Sequence, residues 1–250
     1  MHFLSTVMIK RLYLLILLLD LLVLEAEGRR IVYPQRYPFV IYKFQEGRLY
    51  PEWRSRRKEF PFPVGIFYSP RGLTLWIKQK EGQGLLSPTS HLVVLSPYLD
   101  FHPEVDYRDE YNWLRYLFEE LAIDKAFVIF PPDIRKEHPE WFQGHSELTE
   151  EVRRQGFDLN LLDDIKNLPD SSHLRDVILV VDLAYFADKL FLNSLEYEDL
   201  IMRIIDFLRI LERKKLRIKA FLILFPSQFV DTERAEPLLE QLLELLSTGD

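Results

Sequence analysis

Apolar and polar residues change rhythm along this chain near residue 31 and again near residue 90. From residue 91 onward four short, almost continuous apolar runs recur: HLVVLSP, KAFVIFPP, VILVVD and IKAFLILFPS. Interspersed with them are stretches whose apolar positions return every three or four residues: DEYNWLRYLFEELA, EYEDLIMRIIDFLRILERK and ERAEPLLEQLLELL. In the first of these, Trp113, Leu114, Leu117 and Leu121 share one helical face. The polar section between the second and third runs holds a further helix, over residues 147–167. Continuous apolar strands alternating with amphipathic helices predict a mostly parallel sheet covered on both faces, an α/β fold in three layers, α/β/α.

Residues 31–89 have a different texture. IVYP, YPFVIYKF, PVGIFYS and LTLWIK are aromatic and β-branched and are separated by Pro, Gly and charged clusters, which predicts short strands. YSPRGLTLWI reads as a hairpin with Pro70 and Gly72 in its turn, and RSRRK at 54–58 as a solvated basic loop. The aromatic residues Tyr33, Tyr37, Phe39, Tyr42, Tyr50 and Trp53 are expected to pack this extra β structure. The expected organisation is a single domain over 31–250, irregular and β-rich over 31–89, with the chemistry in 90–250.

Residues 1–30 form an apolar segment with two readings. Lys10 and Arg11 precede a long apolar run, as in a signal peptide or anchor through residues 10–26. Against this, Asp20 interrupts the run, and an acid at that depth costs roughly 2.5–3.5 kcal/mol on insertion scales. Ala26 stands between two glutamates rather than in a cleavage site. A buried first element of a cytoplasmic domain is the preferred reading, an exported or anchored protein the alternative.

Composition narrows the function classes. Hydrophobic residues are 48% and charged residues 28% of the 250, a globular balance. A formal net charge of −7 argues against a nucleic-acid surface. The chain has no cysteine, which removes disulfides, thiolate metal sites and cysteine nucleophiles.

In open α/β sheets ligands bind beyond the carboxyl ends of the strands. After LVVL come Asp100, His102 and Glu104, spaced D-x-H-x-E; after VILVV comes Asp182. In extended chain, alternate side chains share a face, so the triplet would converge. Two carboxylates and an imidazole suit a divalent ion such as Mn²⁺, Zn²⁺ or Fe²⁺.

The order of LDFHPEVD, NWLRY, VVDLAYF and FPSQFVDTERAEPLL resembles the arginase-like (ureohydrolase) family over residues 90–245, closest to its branch with a D-x-H-x-D and a later D-x-D-Y-F motif. The resemblance implies that Asp100, His102, Glu104 and Asp182 bind metal, Mn²⁺ foremost, and that the reaction is hydrolysis of a linear C–N bond in a small-molecule or peptide guanidino or amide substrate. It implies for Glu233 a contact to a cationic substrate group, although the same residue suits the start of a helix. Two departures stand out: Glu104 replaces an aspartate, and Ala184 stands where the second acid of D-x-D belongs. Asp106 or Asp188 could compensate. His138 and His145, in a stretch read as a loop after the second strand, are candidates for a proton shuttle or ordinary surface residues. The alternative to a hydrolase is a non-catalytic relative acting as a binding or scaffold protein.

Overall fold

The structure is a computed structural model that describes residues 37–87, 89–101, 112–120, 123–174, 176–187, 195–225 and 232–247. These residues belong to one compact unit built on an eight-stranded sheet. Strands β1 (Tyr37–Gln45), β2 (Arg48–Phe60), β3 (Val64–Phe67), β4 (His91–Leu95), β5 (Lys125–Ile129), β6 (Asp158–Leu162), β7 (Val177–Asp182) and β8 (Ile218–Leu224) lie in the order β2-β1-β3-β8-β7-β4-β5-β6. Every neighbouring pair is parallel except β1 with β2. The three-layer α/β arrangement follows directly from the strand residues. Val93, Leu95, Leu179, Val181, Phe221 and Ile223 enter one apolar cluster, while Leu92, Val94, Ile178, Val180 and Leu222 enter the other. Period-two side chains that are apolar at every position require a cover on each side.

Helices α1 (Pro70–Gly82), α2 (Trp113–Glu120) and α4 (Pro139–Arg154) supply one cover, through residues such as Leu73, Trp76, Leu114, Leu117 and Val152. A short α3 (Pro132–Glu137) precedes α4. The opposite cover comes from α5 (Ala184–Ala187), α6 (Tyr197–Lys214) and α7 (Thr232–Ser247), with Leu200, Ile204, Phe207, Leu211, Leu238 and Leu242 facing inward. Arg213 and Lys214 stand in the last turn of α6, where cations meet the negative end of the helix dipole. Among the described residues no helix is long and apolar enough to cross a membrane; residues 1–36, including the apolar segment, lie outside them.

Four expectations are corrected. The stretch YSPRGLTLWI is the start of α1, not a hairpin. Pro70 occupies the first helical turn, where its missing N–H costs nothing, and Leu73, Trp76 and Ile77 follow at helical spacing. Gly72 allows close approach rather than a turn: a Cβ there would lie 3.2 Å from the Phe44 Cβ. The hairpin is instead at Glu46 and Gly47, whose φ angles of 50° and 73° give the turn joining β1 to β2. RSRRK lies within β2, an edge strand, rather than in a loop. The helix expected over 147–167 runs over α4 instead, opened by Pro139 and stopped at Gly156, whose φ is 97°. DLNLL beyond it is the edge strand β6. Finally, KEHPEWFQGH, read as a loop, is helical on both sides of His138, as the end of α3 and the start of α4.

The chain turns in opposite directions on either side of the β4/β7 boundary. From β4 it passes through α2, on one face, to β5; from β7 it passes through α5 and α6, on the other face, to β8. Divergent crossovers leave a crevice outside the carboxyl ends of the two strands, the switch point at which open α/β sheets bind ligands.

Candidate functional site

Asp182 is the last residue of β7 and is 3% exposed. β7 pairs in parallel with β4, Val181 opposite Leu95, so the next residues on the two sides, Asp182 and Ser96, meet at the crevice. The hydroxyl of Ser96, the first residue after β4, donates to Asp182 Oδ2 at 3.2 Å, and Ser96 is itself buried. The backbone N–H of Ala184 donates to Asp182 Oδ1 at 2.8 Å. Both oxygens are thereby oriented. The Ser96 hydroxyl also accepts from the Tyr98 N–H at 3.1 Å, which ties the loop after β4 to the same group.

Asp100 lies further along that loop, between Leu99 and Phe101, which are both buried. Its carboxylate Oδ2 accepts from the indole N–H of Trp113 at 2.7 Å, and its backbone carbonyl accepts from the Leu114 N–H at 3.2 Å. The residue is thus fastened to the first turn of α2. Burial pushes its carboxyl from an ordinary 3.8 up to about 7, against the opposing pull of the Trp113 hydrogen bond. Asp100 and Asp182 therefore occupy the same carboxyl edge of neighbouring strands, held by Trp113 and by Ser96 respectively. Sequence reading overlooked both supports. Ser96 is a polar residue directly behind HLVVL, and Trp113, on the apolar face of its helix, carries an N–H that seeks an acceptor when buried.

His102 and Glu104 lie outside the described residues, as do Asp106 and Asp188. Among the described residues no three His, Asp or Glu side chains gather as metal ligands. Glu233 is exposed in the first turn of α7. His91 opens β4 and so stands at the opposite edge of the sheet from Asp182. His138 separates α3 from α4, and His145 lies within α4, its Nδ1 2.9 Å from the Trp141 carbonyl. The His145 ring packs on Trp141 and against Phe130, with centroids 3.9 and 5.3 Å apart.

Position 184, where the second acid of D-x-D would stand, holds alanine. The Ala184 side chain is fully buried, in the apolar cluster that contains Tyr185, Phe186, Leu200 and Phe207. It offers no oxygen, and its surroundings would penalise one. A second carboxylate beside Asp182 does not fit here.

No family model matches the sequence, and no curated protein matches it. Solved structures do. The chain is similar to proclavaminate amidino hydrolase from Streptomyces clavuligerus, with 15% identity and a TM-score of 0.45 over 74% of this chain and 63% of that one. It is similar to arginase from Medicago truncatula, with 12% identity and a TM-score of 0.46 over 75% and 60%. It is similar to agmatine ureohydrolase of Thermoplasma volcanium, with 14% identity and a TM-score of 0.40 over 73% and 61%. The chain thus spans less than two thirds of the length of each of these three.

Proposed function

We propose that the crevice at the β4/β7 switch point is a reduced, single-ion version of an arginase-like hydrolase centre, acting on a linear C–N bond of a guanidino or amide compound. The observation that carries the reading is the pairing of Ser96 with Asp182 at that crevice, with Asp100 on the same edge. Asp182 and Asp100 would hold the ion, with His102 and Glu104 as further candidates by spacing. A divalent ion in such a centre supplies Lewis acidity to the substrate and lowers the pKa of water. Within the chain, Ser96 and the Ala184 N–H orient Asp182, and Trp113 fixes Asp100 on α2. The choice of Mn²⁺ over Zn²⁺ or Fe²⁺ rests on the sequence resemblance, as does the substrate class.

A second reading, a non-catalytic binding or scaffold protein, is favoured by Ala184, whose methyl group fills the place of an acid with packing. One experiment separates the two. The protein is purified without chelator, reconstituted with Mn²⁺, Zn²⁺ or Fe²⁺, and analysed for bound metal beside an Asp100→Asn, Asp182→Asn variant. A single ion per chain that disappears in the variant supports the hydrolase centre and directs a screen for urea or ammonia release from guanidino and amide compounds. Absence of any ion in the wild type under all conditions overturns it in favour of the scaffold.

A further inference from the structure

Beside the crevice, on the face covered by α6, lies a cavity of about 290 Å³ bounded by α6, by the short helical turn at Ile165–Asn167 and by Tyr185 after β7. Its lining holds four cationic side chains, Lys166, Arg203, Arg209 and Arg213, against two carboxylates, Asp164 and Asp206. This inverts the overall charge of −7. Both carboxylates are already engaged locally. Asp164 accepts from the Lys166 N–H at 2.8 Å and lies 3.6 Å from its ammonium, and Asp206 lies 3.5 Å from Arg209.

Arg203 is the central feature. One arm of its guanidinium, Nη2, pairs with Asp133 at the start of α3. The other, Nη1, is buried and has no hydrogen-bond partner among the described residues. A buried donor on a charged group without an acceptor is rare in folded proteins and marks a place where a partner is missing. Burial also draws the Arg203 guanidinium below its ordinary value, although guanidinium stays charged at neutral pH. Tyr185, 5% exposed, lines the same cavity; burial first, and then the charge of Asp164, raise its phenol, so it keeps its proton and can donate. Phe207 adds an apolar wall. Arg203, with one N–H group unpaired, the Tyr185 phenol and the exposed Arg213 line one cavity, a combination that suits an oxyanion carried on a small, partly apolar body.

We propose that this cavity binds a small molecule through a phosphate or carboxylate group, with Arg203 as the anchoring residue and Arg213 as its rim contact. The site stands on residues other than those of the metal reading and does not depend on it. The test is calorimetric titration of the full chain, in EDTA and at fixed ionic strength, with inorganic phosphate and separately with acetate. Saturable binding of either probe is expected. It should weaken by about tenfold or more in Arg203→Gln and in Arg213→Ala, the loss that follows from removing a charge-assisted hydrogen bond. Arg213 is exposed, so its variant keeps the test valid even if Arg203→Gln fails to fold. Binding of phosphate alone assigns a phosphate-bearing ligand, and of acetate alone a carboxylate. Absence of saturable binding to both, or equal affinity in wild type and Arg213→Ala, overturns the proposal. Because metal is chelated throughout, that failure is distinct from failure of the hydrolase reading.

Discussion

Ser96 and Asp182 are eighty-six residues apart in sequence, yet the Ser96 hydroxyl donates to the Asp182 carboxylate at 3.2 Å across the ends of two parallel strands. This bond spans the switch point of the sheet, so it ties the two strand ends together and fixes the orientation of the Asp182 carboxylate at the crevice.

Removing that donor should be felt as stability. Ser96→Ala is expected to cost about 1.5–3 kcal/mol, the range for a hydrogen bond to a charged group. The cost should shrink when Asp182 is also replaced by alanine, because the bond is then already gone. A double-mutant cycle by urea unfolding reads the coupling. Additive effects within about 0.5 kcal/mol would show that the two side chains do not act together.

Asp100 predicts an unusual pH dependence for the metal-free protein. Its folded carboxyl holds a proton up to about 7, whereas in the unfolded chain it ionises near 3.8. Between those values the unfolded state binds fewer protons at this group, so its contribution to stability falls as pH rises and levels off above about 7. Asp100→Asn keeps an acceptor for Trp113 and should flatten this part of the profile, leaving the variant relatively more stable at pH 8 than at pH 4. Thermal unfolding in EDTA across that range is the measurement. A profile that is the same in wild type and variant would contradict the burial argument.

Trp113→Phe tests the opposing influence on the same group. It removes the N–H that stabilises the Asp100 carboxylate, so the Asp100 titration should move still higher. Loss of ring volume at a site only 2% exposed should add a packing cost of about 1–3 kcal/mol. Carboxyl titration followed by NMR separates the two effects.

Ala184→Asp restores, on paper, the acid that the arginase-like motif would carry. The fully buried position within an apolar cluster predicts the opposite of a gain. The variant should lose about 3 kcal/mol or more without metal and should bind no additional ion. Unfolding and metal analysis of the variant decide this. Undiminished stability together with a second bound ion would show that the cluster can open to accept a carboxylate.

The alternation of apolar runs and amphipathic stretches after residue 90 is a local property, and local periodicity determined it: the strands around Val93, Phe127, Val180 and Leu222 and the helices around Leu117, Ile204 and Leu238 are all legible in the sequence. So was the edge to interrogate, since a polar residue such as Asp182 immediately behind a buried strand marks its carboxyl end. Where the pattern is short or ambiguous, neighbours decided. Leu73, Trp76 and Ile77 fit a strand or a helix until Pro70 and the face beside Phe44 select the helix. DLNLL becomes a strand because β5 offers it an edge, through the pairing of Phe127 with Asn160. Strand order, the Ser96–Asp182 bond, the Trp113 clasp on Asp100 and the idle arm of Arg203 join residues far apart in sequence, and no periodicity encodes such pairings. Tertiary structure alone decided them, because each depends on which surfaces are brought together once the sheet has chosen its order.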